Sequence, residues 1–226
     1  MLISWNTTQA CNISCLHCYR DAGDCLRDEL TTEEGKRLLD DAFACGFRIF
    51  VFSGGEPLLR PDLLELIAYA RSIGLRPVLG TNGILLTPQK VAELKQAGLA
   101  AAGISVDSVS PERHDWFRQS VGAWAATVEG MRVCRAAGLP FQVHTTVMDW
   151  NEAEVLAITD KAIEWGAAAH HIFFLVPTGR GDNIKDRSLP VEQQETLLSN
   201  ILEKQRQVSI ELKPTCAPQF MRIASQ

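Results

Sequence analysis

Residues 49–57, IFVFSGGEP, join a strand signal to a binding signal. Ile49–Ser53 reads as a strand whose first four residues are a continuous apolar run without alternation. A strand covered on both faces in a parallel sheet reads this way. Ser53-Gly54-Gly55-Glu56-Pro57 then closes the strand. Two glycines let backbone approach a ligand closely, and Glu56 offers a carboxylate that suits an amino group. Alone this turn says little, because Gly-Gly turns are common.

The same rhythm runs outward in both directions. Upstream, Ile3–Thr8 reads as a strand, followed by a cysteine-bearing loop. A helix opens at Thr31, with Glu34 completing a capping box, and runs to about Cys45, where Gly46 stops it. Downstream, helices are expected over 62–73, 88–97, 121–137, 153–165 and 191–207. Strands are expected over 76–80, 102–106, 141–147 and 170–175, with a short last one at 210–212. Six strand–helix units in series predict an α/β fold: a parallel sheet with right-handed crossovers and outer helices, curved into a partial (β/α)6 barrel. In such folds the chemistry gathers at the C-terminal ends of the strands. The informative stretches lie there: the cysteine loop after strand one, SGGEP after strand two, TNG after strand three, SVDS after strand four and VPTGRG after strand six.

The chain has 226 residues, 46% hydrophobic, with a formal net charge of -5. That suits one domain with a short extension. It offers no basic face for nucleic acid, and its apolar runs fall far short of the ~20 residues of a membrane helix. The start, MLISWNTTQAC, lacks the basic and apolar regions of a signal peptide, so a cytoplasmic, thiol-reducing location is expected. Seven cysteines are present. Three of them, Cys11, Cys15 and Cys18, fall within eight residues, which favours metal binding over a disulfide framework. Cys25, Cys45 and Cys134 show no pairing pattern. Cys45 and Cys134, at helix ends, are expected to be buried structural thiols.

Thiolates ligate soft metals and iron–sulfur clusters. Three local cysteines cap three irons of a four-iron cluster and leave the fourth open. A structural zinc site is the alternative, but it usually needs four ligands, and His17 abuts Cys18 too closely to join it comfortably.

C-x3-C-x2-C in the first strand–helix loop, followed by GGEP at the end of strand two, resembles the signature of the radical S-adenosylmethionine (SAM) superfamily along the whole chain. The resemblance implies a [4Fe–4S] cluster on Cys11, Cys15 and Cys18 whose open iron chelates SAM, one-electron cleavage to methionine and a 5′-deoxyadenosyl radical, and hydrogen abstraction from a substrate. It also implies SAM contacts: Glu56 with the backbone of Gly54 and Gly55 on the methionine amino group, and Ser105 and Asp107 on the carboxylate or ribose. Thr145 and Thr146 are expected to face the same ligand or simply to finish strand five. His17 is expected to pack on adenine, with Val176 and Pro177 beside it. Asn82 is a SAM contact or a turn residue.

Four stretches narrow the resemblance: SWNTTQACNISCLHCYRDAG (4–23), SVDSVSPERHDWFR (105–118), FFLVPTGRG (173–181) and KPTCAPQFMRIA (213–224). They are similar to the heme-biosynthesis branch with a C-terminal auxiliary-cluster extension, above all to didecarboxysiroheme deacetylases, with the heme d enzymes nearly as close. This implies radical removal of two acetate side chains from 12,18-didecarboxysiroheme, with a ferredoxin or flavodoxin as reductant. Arg180, and after it Arg20, are expected to hold substrate carboxylates, because a guanidinium binds them bidentately. His114 and Arg118 are expected to brace the loop beyond strand four. The family continues past residue 226 with further cysteines. The chain is therefore expected to hold a core over 1–207 and, over 208–226, the start of an extension in which Cys216 belongs to a second iron–sulfur cluster. A peptide-modifying radical SAM enzyme and a non-catalytic cluster- or zinc-binding barrel remain the alternatives.

Overall fold

The structure is a computed structural model that describes residues 1–225. Seven strands form one sheet in chain order: β1 (Leu2–Asn6), β2 (Ile49–Ser53), β3 (Arg76–Thr81), β4 (Ala101–Ser105), β5 (Phe141–Val147), β6 (Ala169–Phe174) and β7 (Glu211–Thr215). Every neighbouring pair is parallel. The sheet curls into a half-barrel, with β1 and β7 as its two edges. The helices are α1 (Thr32–Ala44), α2 (Leu63–Ser72), α3 (Pro88–Gln96), α4 (Pro111–Arg118), α5 (Ala123–Ala136), α6 (Val155–Trp165), α7 (Val191–Gln205) and α8 (Phe220–Ala224).

Period-two alternation in the strands divides helix-facing from barrel-facing side chains. Along β5, Phe141, Val143, Thr145 and Val147 are buried, while Gln142, His144 and Thr146 are only half-buried. The buried set joins a core that includes Phe50, Phe52, Leu66, Ile67, Leu79, Leu94, Ile104 and Met131, all without exposed surface. Each such side chain contributes about 1.5–3 kcal/mol relative to its exposed state. The other set faces the concave interior. In β6 the fully buried His170 faces outward, where Thr159 Oγ1 on α6 lies 2.9 Å from its Nδ1 and Thr145 Oγ1 lies 2.8 Å from its Nε2. Burial lowers the His170 pKa to about 3, so the ring is a neutral core group.

The structure departs from the sequence reading at several places. The first strand ends at Asn6, because Thr7 turns both its N–H and its hydroxyl onto the Ser53 carbonyl, at 2.8 and 2.9 Å. Residues 111–118 form a helix that was not expected. Ser110 caps it and Pro111 opens it, but its side chains are mostly polar, so no apolar periodicity marked it. The long helix after it starts at Ala123, and Val121 is fully exposed. The short last strand lengthens to Glu211–Thr215 and pairs with β6. The boundary expected after residue 207 thus falls just before a strand of the same sheet. Cys134 is buried as expected, but Cys45 is exposed, since the C-terminal cap of α1 lies at the surface.

The capping box of α1 gives the first prediction. Glu34 N–H donates to Thr31 Oγ1, and Glu34 Oε2 accepts from Thr31 N–H at 2.9 Å. Thr31→Ala should cost about 1 kcal/mol, read as a lower urea midpoint with an unchanged slope.

Candidate functional site

A cavity of about 440 Å³ opens at the C-terminal ends of the strands. Its wall includes Cys11, Cys15 and Cys18, the backbone of Gly54 and Gly55, the strand-end groups Ser53, Thr81, Asn82, Ser105 and Thr146, and the side chains of His17, His144 and Arg118. All three thiols are free.

The cysteine loop is long and has little regular structure, so its position is set by bonds from elsewhere. The turn after β2 holds its start: Gly55 N–H donates to the Thr8 carbonyl at 2.8 Å, and Glu56 N–H to the Ala10 carbonyl at 2.7 Å. Side chains at Gly54 and Gly55 would prevent this. A Cβ at Gly54 would lie 2.5 Å from the Thr8 oxygen, and one at Gly55 would collide with the Ala10 oxygen. The buried Arg60, just beyond GGEP, donates from Nη1 to the Thr7 carbonyl at 2.7 Å. On the far side, Leu16 N–H donates to the Phe117 carbonyl at 3.0 Å. The segment after β6 completes the enclosure. Arg180 N–H donates to the Cys18 carbonyl at 2.9 Å, and its guanidinium donates to the Cys15 and Ala22 carbonyls at 2.9 and 2.8 Å.

Several expected ligand contacts are placed differently. Glu56 is fully buried. Its carboxylate accepts from Thr81 Oγ1 at 2.8 Å, Asn82 N–H at 2.9 Å and Leu58 N–H at 3.2 Å, tying the turn after β2 to the end of β3. It does not line the cavity, whereas the backbone of its two glycines does. Asp107 is likewise buried behind the wall, accepting from Arg118 Nε at 2.7 Å and from Thr146 N–H at 2.9 Å. Thr145 is turned toward the helices, where its hydroxyl donates to the Val106 carbonyl at 2.6 Å, and Thr146 takes the cavity face instead. Arg180 reaches the wall, but two of its nitrogens are committed to the cysteine loop, so the free carboxylate anchor expected there is revised to a loop brace. Arg20 is off the wall, and its Nη2 donates to Gln9 Oε1 at 3.1 Å.

The other expected residues do reach the cavity. Ser105, Val176 and Cys216 line it, with Cys216 exposed and held at a positive φ of 59°. Asn82 lines it and is a turn residue as well, since its Oδ1 accepts from Ile84 N–H at 3.0 Å. His17 lies flat on Phe117, with ring centroids 4.3 Å apart and planes 7° apart. Burial holds its imidazole neutral, far below the usual histidine range, and its Nδ1 has no hydrogen-bond partner. Of the two threonines expected there, Thr146 is the wall residue, and sequence reasoning missed His144, which strand alternation from Gln142 would have marked. It placed Arg118 near the loop but had no signal for its reach toward Cys15.

The family profile of the radical SAM superfamily matches residues 5–162. The chain belongs to the radical SAM superfamily. It is 44% identical over its full length to an AdoMet-dependent heme synthase of Methanosarcina barkeri and 40% identical to one of Oleidesulfovibrio alaskensis. It covers 64% and 58% of those chains, and so spans about three-fifths of their length. Over 208 residues, 92% of this chain and 52% of the relative, it is 38% identical to an Fe-coproporphyrin III synthase of Methanosarcina barkeri. Among solved structures, SuiB of Streptococcus suis bound to its precursor peptide SuiA superposes with a TM-score of 0.83 at 14% identity, covering 99% of this chain and 50% of that one. The AdoMet-bound anSMEcpe gives 0.74 at 16% identity, covering 93% and 63%. At these identities the likeness shows the fold alone.

The radical SAM superfamily implies a [4Fe–4S] cluster and bound SAM, and the residues here fit the cluster. Three free thiols share one wall, and N–H groups are aimed at two of them: Ala22 N–H at Cys18 Sγ, 3.5 Å, and Arg118 Nη1 at Cys15 Sγ, 3.7 Å. Among the described residues no three His, Cys, Asp or Glu side chains gather closely enough to hold a single metal ion. Burial raises the pKa of Cys11 and of Cys15, the latter opposed by the Arg118 charge. Cluster binding is therefore expected to release protons.

The buried Glu56 gives a pH-dependent prediction. Desolvation raises its pKa from 4.5 to about 7, although three hydrogen bonds oppose the shift. The folded state holds the proton more tightly than the unfolded state. The group's contribution to stability is therefore complete below pH 4.5 and is lost as pH rises through about 7. At 1.36 kcal/mol per pH unit this reaches roughly 3 kcal/mol. Urea midpoints at pH 5 and pH 7.5 should fall more steeply in the parent than in Glu56→Gln, and equal slopes would refute the assignment.

Proposed function

We propose that this chain is the SAM-cleaving core of an enzyme that modifies an iron tetrapyrrole in heme formation, its cluster held by Cys11, Cys15 and Cys18. The observation that carries the proposal is the single cavity in which three free thiols meet the Gly54–Gly55 backbone and the strand-end groups of β3 to β5. When bound, the cluster supplies the electron that splits SAM into methionine and a 5′-deoxyadenosyl radical able to abstract a substrate hydrogen.

The chain's own residues would divide the work as follows. Gly54 and Gly55 leave backbone exposed for the methionine amino group, and Ser105 and Thr146 offer hydroxyls for its carboxylate or for the ribose. His17, neutral and flat on Phe117, presents a ring edge and an unpartnered Nδ1 beside the adenine position. Asn82 and Val176 close the remaining sides. Glu56 and Asp107 act from behind the wall, by fixing these groups. A ferredoxin or flavodoxin is the natural class of one-electron donor.

The tetrapyrrole reading rests on the relatives, which act in heme formation by name. Within that class the sequence motifs favour removal of acetate side chains from 12,18-didecarboxysiroheme. The higher identity to heme synthases favours a later step on a porphyrin. The unpaired thiol of Cys216 at the cavity mouth is in keeping with a role for residues 208–226 in an auxiliary cluster. No helix among the described residues is long and apolar enough to cross a membrane.

Two measurements test the proposal. Anaerobically reconstituted protein should bind about four irons and, once reduced, release 5′-deoxyadenosine from SAM. Cys15→Ala should lose both, and full iron content in that variant would overturn the cluster assignment. Didecarboxysiroheme and Fe-coproporphyrin III should then be offered separately to protein carrying the additional length found in the relatives. Turnover of the first supports deacetylation and turnover of the second a heme synthase. Turnover of neither, with SAM cleavage intact, would overturn the tetrapyrrole reading.

A further inference from the structure

Arg118 is the C-terminal residue of α4 and is 7% exposed, so its charge lies almost wholly within the protein. A buried guanidinium is costly unless paired and hydrogen-bonded. Asp107 provides the pairing: Arg118 Nε and Nη2 reach its Oδ2 at 2.7 and 2.6 Å. Asp107 is in turn fixed by Thr146 N–H on its other oxygen, and its own N–H donates to His114 Nδ1 at 3.2 Å. Burial keeps His114 neutral, with its pKa lowered to about 4. The remaining Arg118 nitrogen, Nη1, points at Cys15 Sγ from 3.7 Å. Cys15 is itself buried, so little water competes for this contact.

Asp107 takes two nitrogens of the guanidinium, Nε and Nη2, and leaves Nη1 to point elsewhere. Here one end is directed at the sulfur of the middle cysteine. The neighbouring contacts hold the two segments in register: Leu16 N–H bonds to the Phe117 carbonyl, and His17 stacks on Phe117. Residues 16 and 17 are thus locked to residue 117, and the adjacent pair 15 and 118 is brought together by the same fit.

We propose that Arg118, oriented by Asp107, is a positioning residue that tunes the cluster, donating a charged N–H···S bond to the Cys15 thiolate and raising the reduction potential of the cluster. This rests on the [4Fe–4S] reading above. Reduction adds negative charge to the cluster and its sulfurs, and a fixed cationic donor favours that state. Hydrogen bonds to sulfur and local charge are established determinants of cluster potential.

The test is potentiometric and does not need turnover. The reconstituted parent, Arg118→Gln and Arg118→Lys are titrated anaerobically and followed by the EPR signal of the reduced cluster, with iron content measured in each. Arg118→Gln at full iron loading should have a more negative potential. A tenfold loss in the reduction equilibrium corresponds to 59 mV for one electron. Arg118→Lys, which keeps the charge, should recover part of the shift. A Gln variant that fails to hold iron while the Lys variant holds it near the parent potential also supports the charged contact. The proposal is overturned if both variants load iron with unchanged potential, if both fail to load iron, or if they lose SAM affinity while the potential stays put. Failure of the parent itself to take up a four-iron cluster would overturn the cluster reading instead, so the two failures are distinguishable.

Discussion

Two backbone hydrogen bonds, from Gly55 to Thr8 and from Glu56 to Ala10, set the geometry on which the site depends. They join the turn after β2 to the start of the cysteine loop, and only residues without side chains allow the two backbones to come so close. The thiols sit within ten residues of this junction. Without it the loop would lack the bonds that aim it across the strand ends, since it has little regular structure of its own. The glycines of SGGEP therefore have two roles: they dock the loop, and they leave bare backbone on the cavity wall.

Around that junction the barrel works as a frame of buried or half-buried polar groups bonded to one another and to backbone. Glu56 links the ends of β2 and β3, Asp107 links β4, β5 and α4, and Arg180 bonds three carbonyls or loop positions from the segment after β6. Buried polar networks of this type cost free energy when half-satisfied and impose one geometry when complete. The wall that faces the cavity combines hydroxyls, bare backbone, imidazoles and thiols with apolar side chains such as Ile13, Phe173, Phe174 and Leu175. Both guanidiniums that reach it, Arg118 and Arg180, are already engaged with protein atoms. The charge of both is thus directed at the cysteine loop and, for Arg118, at the Cys15 sulfur.

The order of strands was legible because each strand–helix unit repeats and parallel crossovers have one hand. Cys11, Cys15 and Cys18 were legible from spacing, and Gly54 and Gly55 from their place at a strand end. Other residues could not be placed from sequence alone, for a definite reason. Thr145 and Thr146 are adjacent, chemically identical and at a strand end, and only the register of β5 says which one faces inward. Asp107 and Glu56 read as ligands because carboxylates near a binding motif commonly are, but burial turned both into internal acceptors. The helix at 111–118 escaped notice because its capping signals had no apolar stripe to accompany them.

By itself the sequence determined the element order, the parallel α/β class and the grouping of Cys11, Cys15 and Cys18 in one loop, since these follow from local periodicity and from motifs a few residues long. Only the tertiary structure decided which strand-end groups share the cavity, that Arg180 braces the loop, and that Arg118 lies against Cys15. The physical reason is separation along the chain. Arg118 and Cys15 are 103 residues apart, and Arg180 and Cys15 are 165 apart. Such contacts are made by the curl of the sheet and the docking of the cysteine loop, which no short window of sequence encodes.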